Sequence, residues 1–184
     1  MKLLLNSTPV ALWHEIIHEA QAMCDIRLIE ELEAYLVFLM VRYTNKPEVV
    51  KQIIAYEFLQ GINKSSAKQQ DALQAVGDQC LIFAGLFPHM ANKRLVRISY
   101  FVDLGQSAYA NISRTNSDIY GLLSRQFVPL MDILQSIRQY SKENTDLLPL
   151  EAYELWNDTG SRRALSALKK YTHSTPVLID IKNK

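Results

Sequence analysis

The segment His14-Glu15-Ile16-Ile17-His18 is the part of the sequence whose residue types and spacing are best suited to chemistry. It fits the pattern H-E-x-x-H, in which two histidines four residues apart share one face of a helix and bind zinc. The glutamate of that pattern activates a zinc-bound water for hydrolysis. The sequence therefore offers one enzyme hypothesis, a zinc hydrolase with His14 and His18 as metal ligands and Glu15 as the base.

Helix geometry weighs against this zinc site, and so does the fact that no residue stands out as a third ligand. At about 100° per residue, both histidines fall on the flank of the apolar helix face, and Glu15 falls nearly opposite that face. This arrangement is typical of solvated side chains rather than of a walled pocket. Glu33, Glu57 and His89 are possible third ligands, but nothing in their surroundings distinguishes them. Surface histidines without a metal are the interpretation that we favour.

A second group of candidate site residues lies in the glycine-containing stretch 77–109. Asp78 stands among apolar neighbours, so its burial would require hydrogen-bond donors, which Tyr100, Tyr109 or an arginine could supply. Asp103 falls outside the buried stripe of its helix, where a solvated carboxylate or a surface ion pair is expected. These four residues are the candidate binding residues. At Asp78 a structural hydrogen-bond network is favoured over a catalytic acid.

The elements that position these residues are predicted to be helices. Capping residues, prolines and apolar residues at 3.6-residue spacing predict an all-α, single-domain bundle of seven or eight helices over residues 1–175, with a short extended tail at 176–184. The all-apolar segment 34–41 predicts that the second helix is the buried central rod, and Pro129 predicts a kink in the sixth. The predicted helices begin near Pro9, Asp25, Pro47, Ala67, Val96, Asn116, Pro149 and Ser161.

Gly77, Gly85 and Gly105 predict close packing between the fourth and fifth helices. A glycine inside a helix costs about 1 kcal/mol relative to alanine. Three glycines in neighbouring helices therefore indicate backbones that approach each other closely because a Cβ atom is missing. A solid interior without a chemical site is expected from this packing. A small-ligand pocket between the fourth, fifth and sixth helices is the alternative.

Three segments taken together, EELEAYLVFLMVR (30–42), GDQCLIFAGLFP (77–88) and SYFVDLGQSAY (99–109), resemble a family of uncharacterised, mostly proteobacterial proteins of this length. The resemblance runs from the first helix into the sixth, where RQFVPLMDIL (125–134) also matches. It implies a compact bacterial helical protein. It brings no activity, cofactor or catalytic residue with it.

Composition argues against several classes of partner and location. A net charge of +1 lacks the clustered basic excess expected of a surface that binds nucleic acid or an anionic membrane. The longest apolar run, 34–41, is far shorter than the roughly 18 residues that a membrane helix needs. Cys24 and Cys80 lie in apolar surroundings, which favours free thiols in a reducing compartment. A cytoplasmic location is therefore expected.

The function favoured by the sequence is a non-enzymatic interaction or assembly protein that uses no cofactor. It would form a homodimer or bind another protein. The reason is surplus apolar surface at 87–88, 147–150 and 177–181, since contiguous exposed apolar patches mark interaction sites. A zinc hydrolase and a small-ligand-binding helical domain are the two alternatives.

Overall fold

The computed structural model describes residues 8–45, 66–88, 96–113, 118–138 and 147–172. Within these ranges the chain is all-α, with eight helices and no strand, and the predicted fold class is confirmed. The predicted third helix, near Pro47, and the predicted tail lie outside the described residues, and the single-domain organisation stays a prediction. The helices are α1 (Pro9–Cys24), α2 (Glu30–Asn45), α3 (Ser66–Leu86), α4 (Ile98–Ile112), α5 (Ile119–Arg125), α6 (Phe127–Ile137), α7 (Pro149–Thr159) and α8 (Arg162–Lys169).

Local sequence sets the ends of several helices as predicted. The Thr8 side chain caps α1, whose first residue is Pro9. Pro149 likewise begins α7, and Gly160 ends it with a φ of 72°, a conformation that glycine adopts without strain. The Ser161 hydroxyl caps α8. Capping residues and prolines are therefore sufficient to locate these ends.

Asp25 does not begin the second helix, contrary to the prediction. Its φ of 53° lies in the left-handed region, at the C-terminal end of α1. Aspartate tolerates this conformation better than most residues because its short polar side chain can form local hydrogen bonds. Helix α2 begins only at Glu30.

The predicted sixth helix is two helices, α5 and α6, which meet at Gln126. Pro129 explains the break, because a proline ring clashes with the carbonyl of the residue four positions earlier, here Arg125. Asp118 caps α5, with its Oδ1 atom accepting a hydrogen bond from the Gly121 N–H at 2.7 Å. The expected kink is therefore a complete interruption between two separately defined helices.

Two of the three glycines lie at the contact between α3 and α4. A Cβ atom on Gly77 would lie 2.5 Å from the ring of Tyr109, closer than real Cβ contacts come. A Cβ atom on Gly105 would lie 2.9 Å from the Cβ of Cys80 and would overlap the ring of Phe127. These glycines therefore make room mainly for aromatic rings, whereas the sequence predicted contact between the two backbones.

The third glycine, Gly85, serves a different pair of helices. A Cβ atom there would lie 2.5 Å from the Cβ of Leu134, which belongs to α6. The prediction that all three glycines join the same two helices is wrong for this position. The prediction is wrong here because both α4 and α6 pack against α3, and Gly85 faces α6.

The apolar segment of α2 is not buried all round. Leu36, Val37 and Met40 are buried, but Ala34 is exposed and Phe38 is 57% exposed. The prediction that α2 is the central rod is therefore wrong. The largest fully buried side chains include residues from α2, α3 and α6, so α2 shares the interior with these helices and does not lie alone at its centre.

Candidate functional site

Asp78, in the middle of α3, is a buried carboxylate that holds three helices together. Its Oδ1 atom accepts hydrogen bonds from the hydroxyls of Tyr35 at 2.6 Å and Tyr109 at 2.7 Å. Its Oδ2 atom accepts a hydrogen bond from Arg42 Nη2 at 3.0 Å. Tyr35 and Arg42 lie two helical turns apart on the same face of α2, and Tyr109 lies on α4. We call these four residues the Asp78 network.

Further hydrogen bonds connect the Asp78 network to α5. Gln74, one turn before Asp78, donates from Nε2 to the Tyr35 hydroxyl at 3.2 Å. The Oε1 atom of the same side chain accepts a hydrogen bond from the Tyr120 hydroxyl at 3.0 Å. Both ends of the Gln74 amide are therefore satisfied. These two hydrogen bonds fix the orientation of the Gln74 side chain.

Burial dominates the ionisation of the network. It raises the pKa of Asp78, and the hydrogen bonds from the two tyrosines and the charge of Arg42 offset only part of this effect. Burial, with the neighbouring carboxylate, also raises the pKa of Tyr35 and that of Tyr109. Both hydroxyls therefore keep their protons at neutral pH and act as donors.

The Asp78 carboxylate is poorly placed to act as a general base. Three hydrogen bonds take most of its acceptor capacity. A general base must reach the proton that it removes with a lone pair not already occupied. The geometry suits a structural connection among α2, α3 and α4, in which any loss of a donor would leave a buried carboxylate unsatisfied.

A cleft of about 490 Å³ lies between α2 and α3 beside this network. We call it the α2–α3 cleft. Most of its wall is apolar, and the Arg42 guanidinium and the Asp78 carboxylate lie at its polar side. The ligand pocket that the sequence offered as an alternative is a different one, between α3, α4 and the α5–α6 pair. Its lining includes Leu39, Arg42, Tyr43, Ala75, Asp78 and Ile82.

The structure does not bring the other two candidate binding residues to the network. Tyr100 is 43% exposed and contacts the ring of Phe101 edge-on, with 5.6 Å between ring centroids. Asp103 is exposed on α4. Arg97, at the start of α4, forms ion pairs with two carboxylates of α7. Only Asp78 and Tyr109 of the four predicted residues therefore belong to one site.

The H-E-x-x-H histidines lie parallel on the surface of α1. Their rings stack with centroids 6.4 Å apart, and His14 Nε2 lies 3.0 Å from Glu33 Oε1. The other oxygen of Glu33 accepts a hydrogen bond from the buried Gln21 amide at 3.0 Å. Glu15 is exposed. Glu33 is therefore engaged in holding α1 against α2.

A metal site would need further ligands beside these histidines. Among the described residues, no group of three or more histidine, cysteine, aspartate or glutamate side chains is arranged to hold a metal ion. Glu57 and His89, the other two possible ligands, lie outside the described ranges. The zinc hypothesis thus gains no support from the part of the chain that can be described.

A second buried carboxylate, Asp132, escaped the sequence analysis. Its Oδ1 atom accepts a hydrogen bond from the Ser161 hydroxyl at 2.6 Å, and its Oδ2 atom accepts one from the Arg162 N–H at 3.0 Å. Burial raises its pKa, and these hydrogen bonds partly offset that rise. Asp132 thus connects α6 to the N-terminus of α8. The signal in the sequence is a single carboxylate within the apolar run 127–134.

Both cysteines are free thiols. Cys80 is buried in the core, and burial raises its pKa. The Sγ atom of the half-buried Cys24 lies 2.7 Å from the Ser136 hydroxyl oxygen, and burial raises the pKa of this thiol too. Neither thiol therefore has the lowered pKa that marks a nucleophilic cysteine.

Tyr35 and Arg42 are the site residues that the sequence analysis missed. Their signal is a pair of polar side chains seven residues apart in the apolar run of α2, which places them on one helix face.

Comparisons with protein-family models, with curated proteins and with solved structures find no match. Among the described helices, none combines the length and the apolar character needed to cross a bilayer.

Proposed function

We propose that this protein binds a small organic molecule in the α2–α3 cleft and is not an enzyme. The observation that carries the proposal is a mostly apolar cleft of about 490 Å³ beside a buried, hydrogen-bonded carboxylate. Ligand sites are typically clefts of about 300–1,000 Å³ with apolar walls and a few fixed polar groups. Buried groups with raised pKa values also concentrate near such sites.

Arg42 defines the polar end of the proposed ligand. One of its nitrogens donates to Asp78, which fixes the guanidinium, while the side chain is still 54% exposed. A guanidinium has five N–H donors, so others remain for a ligand. The matching ligand carries one hydrogen-bond acceptor, such as a carboxylate or carbonyl, on an apolar body that contacts Leu39 and Ile82.

A thermal-shift screen tests this proposal with small aliphatic and aromatic carboxylates and amides. Ala75→Leu narrows the cleft from the α3 side, and Ala22→Leu adds the same atoms at an exposed position of α1. Compounds that raise the Tm of the wild-type protein should raise that of Ala22→Leu equally and that of Ala75→Leu little. No stabilising compound, or equal shifts in both variants, would contradict the proposal.

Assembly with a second copy of this chain is a second candidate function, and it has its own supporting observation. Phe38 is 57% exposed on α2, and Ala34, one turn earlier, is also exposed. An apolar helix face of this kind is typical of a protein-interaction surface. Sedimentation should then detect a dimer that Phe38→Glu dissociates. A wild-type monomer at high micromolar concentration would argue against it. A cytoplasmic location remains part of both proposals.

A further inference from the structure

We propose a second binding site, for a small multiply charged anion, in a polar cleft of about 490 Å³. This cleft lies on one side of α6, and the contact of α6 with Gly85 of α3 lies on the opposite side.

 Leu134 contacts Gly85, whereas Val128, Pro129 and Asp132, which line this cleft, fall roughly on the other face of α6 at about 100° per residue. The remaining wall comes from the α1–α2 connection, from Gln106 of α4, and from the α5–α6 and α7–α8 junctions. This site is separate from the α2–α3 cleft, so the two proposals stand or fall independently.

Three arginines, Arg27, Arg125 and Arg162, line this cleft, which we call the arginine cleft. None of them forms an ion pair with a described residue, since the ion pairs found there involve His14, Arg42 and Arg97. Like charges gathered in one cleft repel one another unless an anion lies between them. The arginine cleft therefore carries an excess of positive charge, and its arginines have no ion-pair partner among the described residues.

The carboxylates of the arginine cleft do not balance this charge. Asp132 is 2% exposed, and both of its oxygens already accept hydrogen bonds from Ser161 and from the first N–H groups of α8. Asp25 is the one exposed carboxylate in the described lining, against three guanidinium groups. The amides of Gln106 and Gln126 add neutral donors to the same wall. An anionic ligand is therefore the chemical complement of the cleft.

The arginine side chains determine the class of anion. A guanidinium presents paired N–H donors that match phosphate and carboxylate groups in a bidentate manner. Several such groups in one cleft suit a ligand with adjacent phosphates or adjacent carboxylates rather than a single charge. The backbone N–H of Arg162 donates a hydrogen bond to Asp132, so the position of the Arg162 backbone does not depend on the ligand.

Isothermal titration calorimetry at low ionic strength tests the site with two probes, inorganic pyrophosphate and citrate. We expect saturable binding that weakens as salt is added, because exposed charges are screened. Tighter binding of pyrophosphate would assign the site to phosphates, and tighter binding of citrate would assign it to carboxylates. Arg125→Gln and Arg162→Gln should each weaken the preferred probe at least about tenfold, as expected when a charged hydrogen bond is lost.

Lys169→Gln is the matched control, because it removes one positive charge from an exposed position of α8 that does not line the cleft. It should leave the affinity within about twofold, well below one tenfold step of about 1.4 kcal/mol. Circular dichroism and Tm check that each variant folds, and Arg27→Gln replaces any variant that does not. No saturable binding of either probe, or equal losses in Lys169→Gln and the arginine variants, would overturn the proposal.

Discussion

Gly77 and Tyr109 are in direct contact across α3 and α4, so closely that a Cβ atom on Gly77 would lie 2.5 Å from ring atom Cε1 of Tyr109. The ring has little freedom to move, because Tyr109 is 0% exposed and its hydroxyl donates to Asp78 at 2.7 Å. The hydrogen bond from Tyr109 to Asp78, the next residue of α3, thus requires that position 77 carry no side chain.

Gly77→Ala should lower the free energy of unfolding by about 1–3 kcal/mol, the usual cost of overpacking, despite the higher helix propensity of alanine. Urea denaturation measures this change. In a Tyr109→Leu background the same substitution should cost less, since no ring then lies against the new methyl group. If the two substitutions lower the free energy of unfolding additively, the contact with the Tyr109 ring does not restrict which residue position 77 can hold.

Asp78 should make stability depend on pH in the direction opposite to that of an ordinary salt-bridged aspartate. Burial raises its folded-state pKa above the unfolded value of 3.8, so the folded protein binds this proton more tightly. The contribution of Asp78 to the free energy of unfolding is therefore full below the unfolded pKa and is lost as the pH rises through the folded pKa.

Asp78→Asn isolates this effect because asparagine does not titrate. The difference in free energy of unfolding between the wild-type protein and the variant should shift in favour of the wild type as the pH falls from 7 towards 4, close to the ordinary pKa of an aspartate. Asp132 is present in both proteins, so its own titration cancels. Denaturant unfolding at several pH values measures the difference, and a shift in the opposite direction would contradict the raised pKa.

Ser161→Ala should destabilise the protein by about 1–3 kcal/mol, for two reasons. It removes the cap that accepts the Ala164 N–H at 3.0 Å, and it deprives the buried Asp132 carboxylate of its 2.6 Å donor. Ser166→Ala, at an exposed position of the same helix, is the control and should change stability little. Thermal unfolding of both variants checks the prediction, which fails if the two changes in Tm are equal.

Zinc should leave the protein unchanged. His14 is 63% exposed in its side chain and pairs with Glu33, so we expect His14→Ala to cost at most about 1 kcal/mol, as for other surface ion pairs. Neither added zinc nor a chelator should shift the Tm, because a bound structural metal would couple its binding to folding. Metal analysis that finds a full equivalent of zinc in the purified protein would revive the hydrolase hypothesis.

The helical fold could be predicted because its signals are local. Pro9, Pro149, Gly160 and Ser161 act through the backbone of their own turn, so their effect is readable from the neighbouring residues. Asp25 shows the limit of this reasoning, because an aspartate suits the start of one helix and the left-handed end of another. Only the packing of the chain decides between the two.

The Asp78 network could be predicted only in part because its partners are distant in sequence. The burial of Asp78 followed from its apolar neighbours, and Tyr109 was recognised as a possible donor. Tyr35 and Arg42 come from α2, 43 and 36 residues away along the chain, and no local pattern indicates which helix faces which. The same reason explains the incorrect assignment of Gly85, whose neighbour Leu134 lies on a helix that the sequence did not place beside it.

The bonds from Asp132 to the first turn of α8 have a consequence for the order in which the chain assembles. Helix α8 has eight residues, and isolated helices shorter than about 12–15 residues are marginal in water. Its buried cap is complete only when the middle of α6 is already in position. We therefore expect α8 to form late in folding, and its amide hydrogens to exchange with solvent through local opening, before those of α3 and α6.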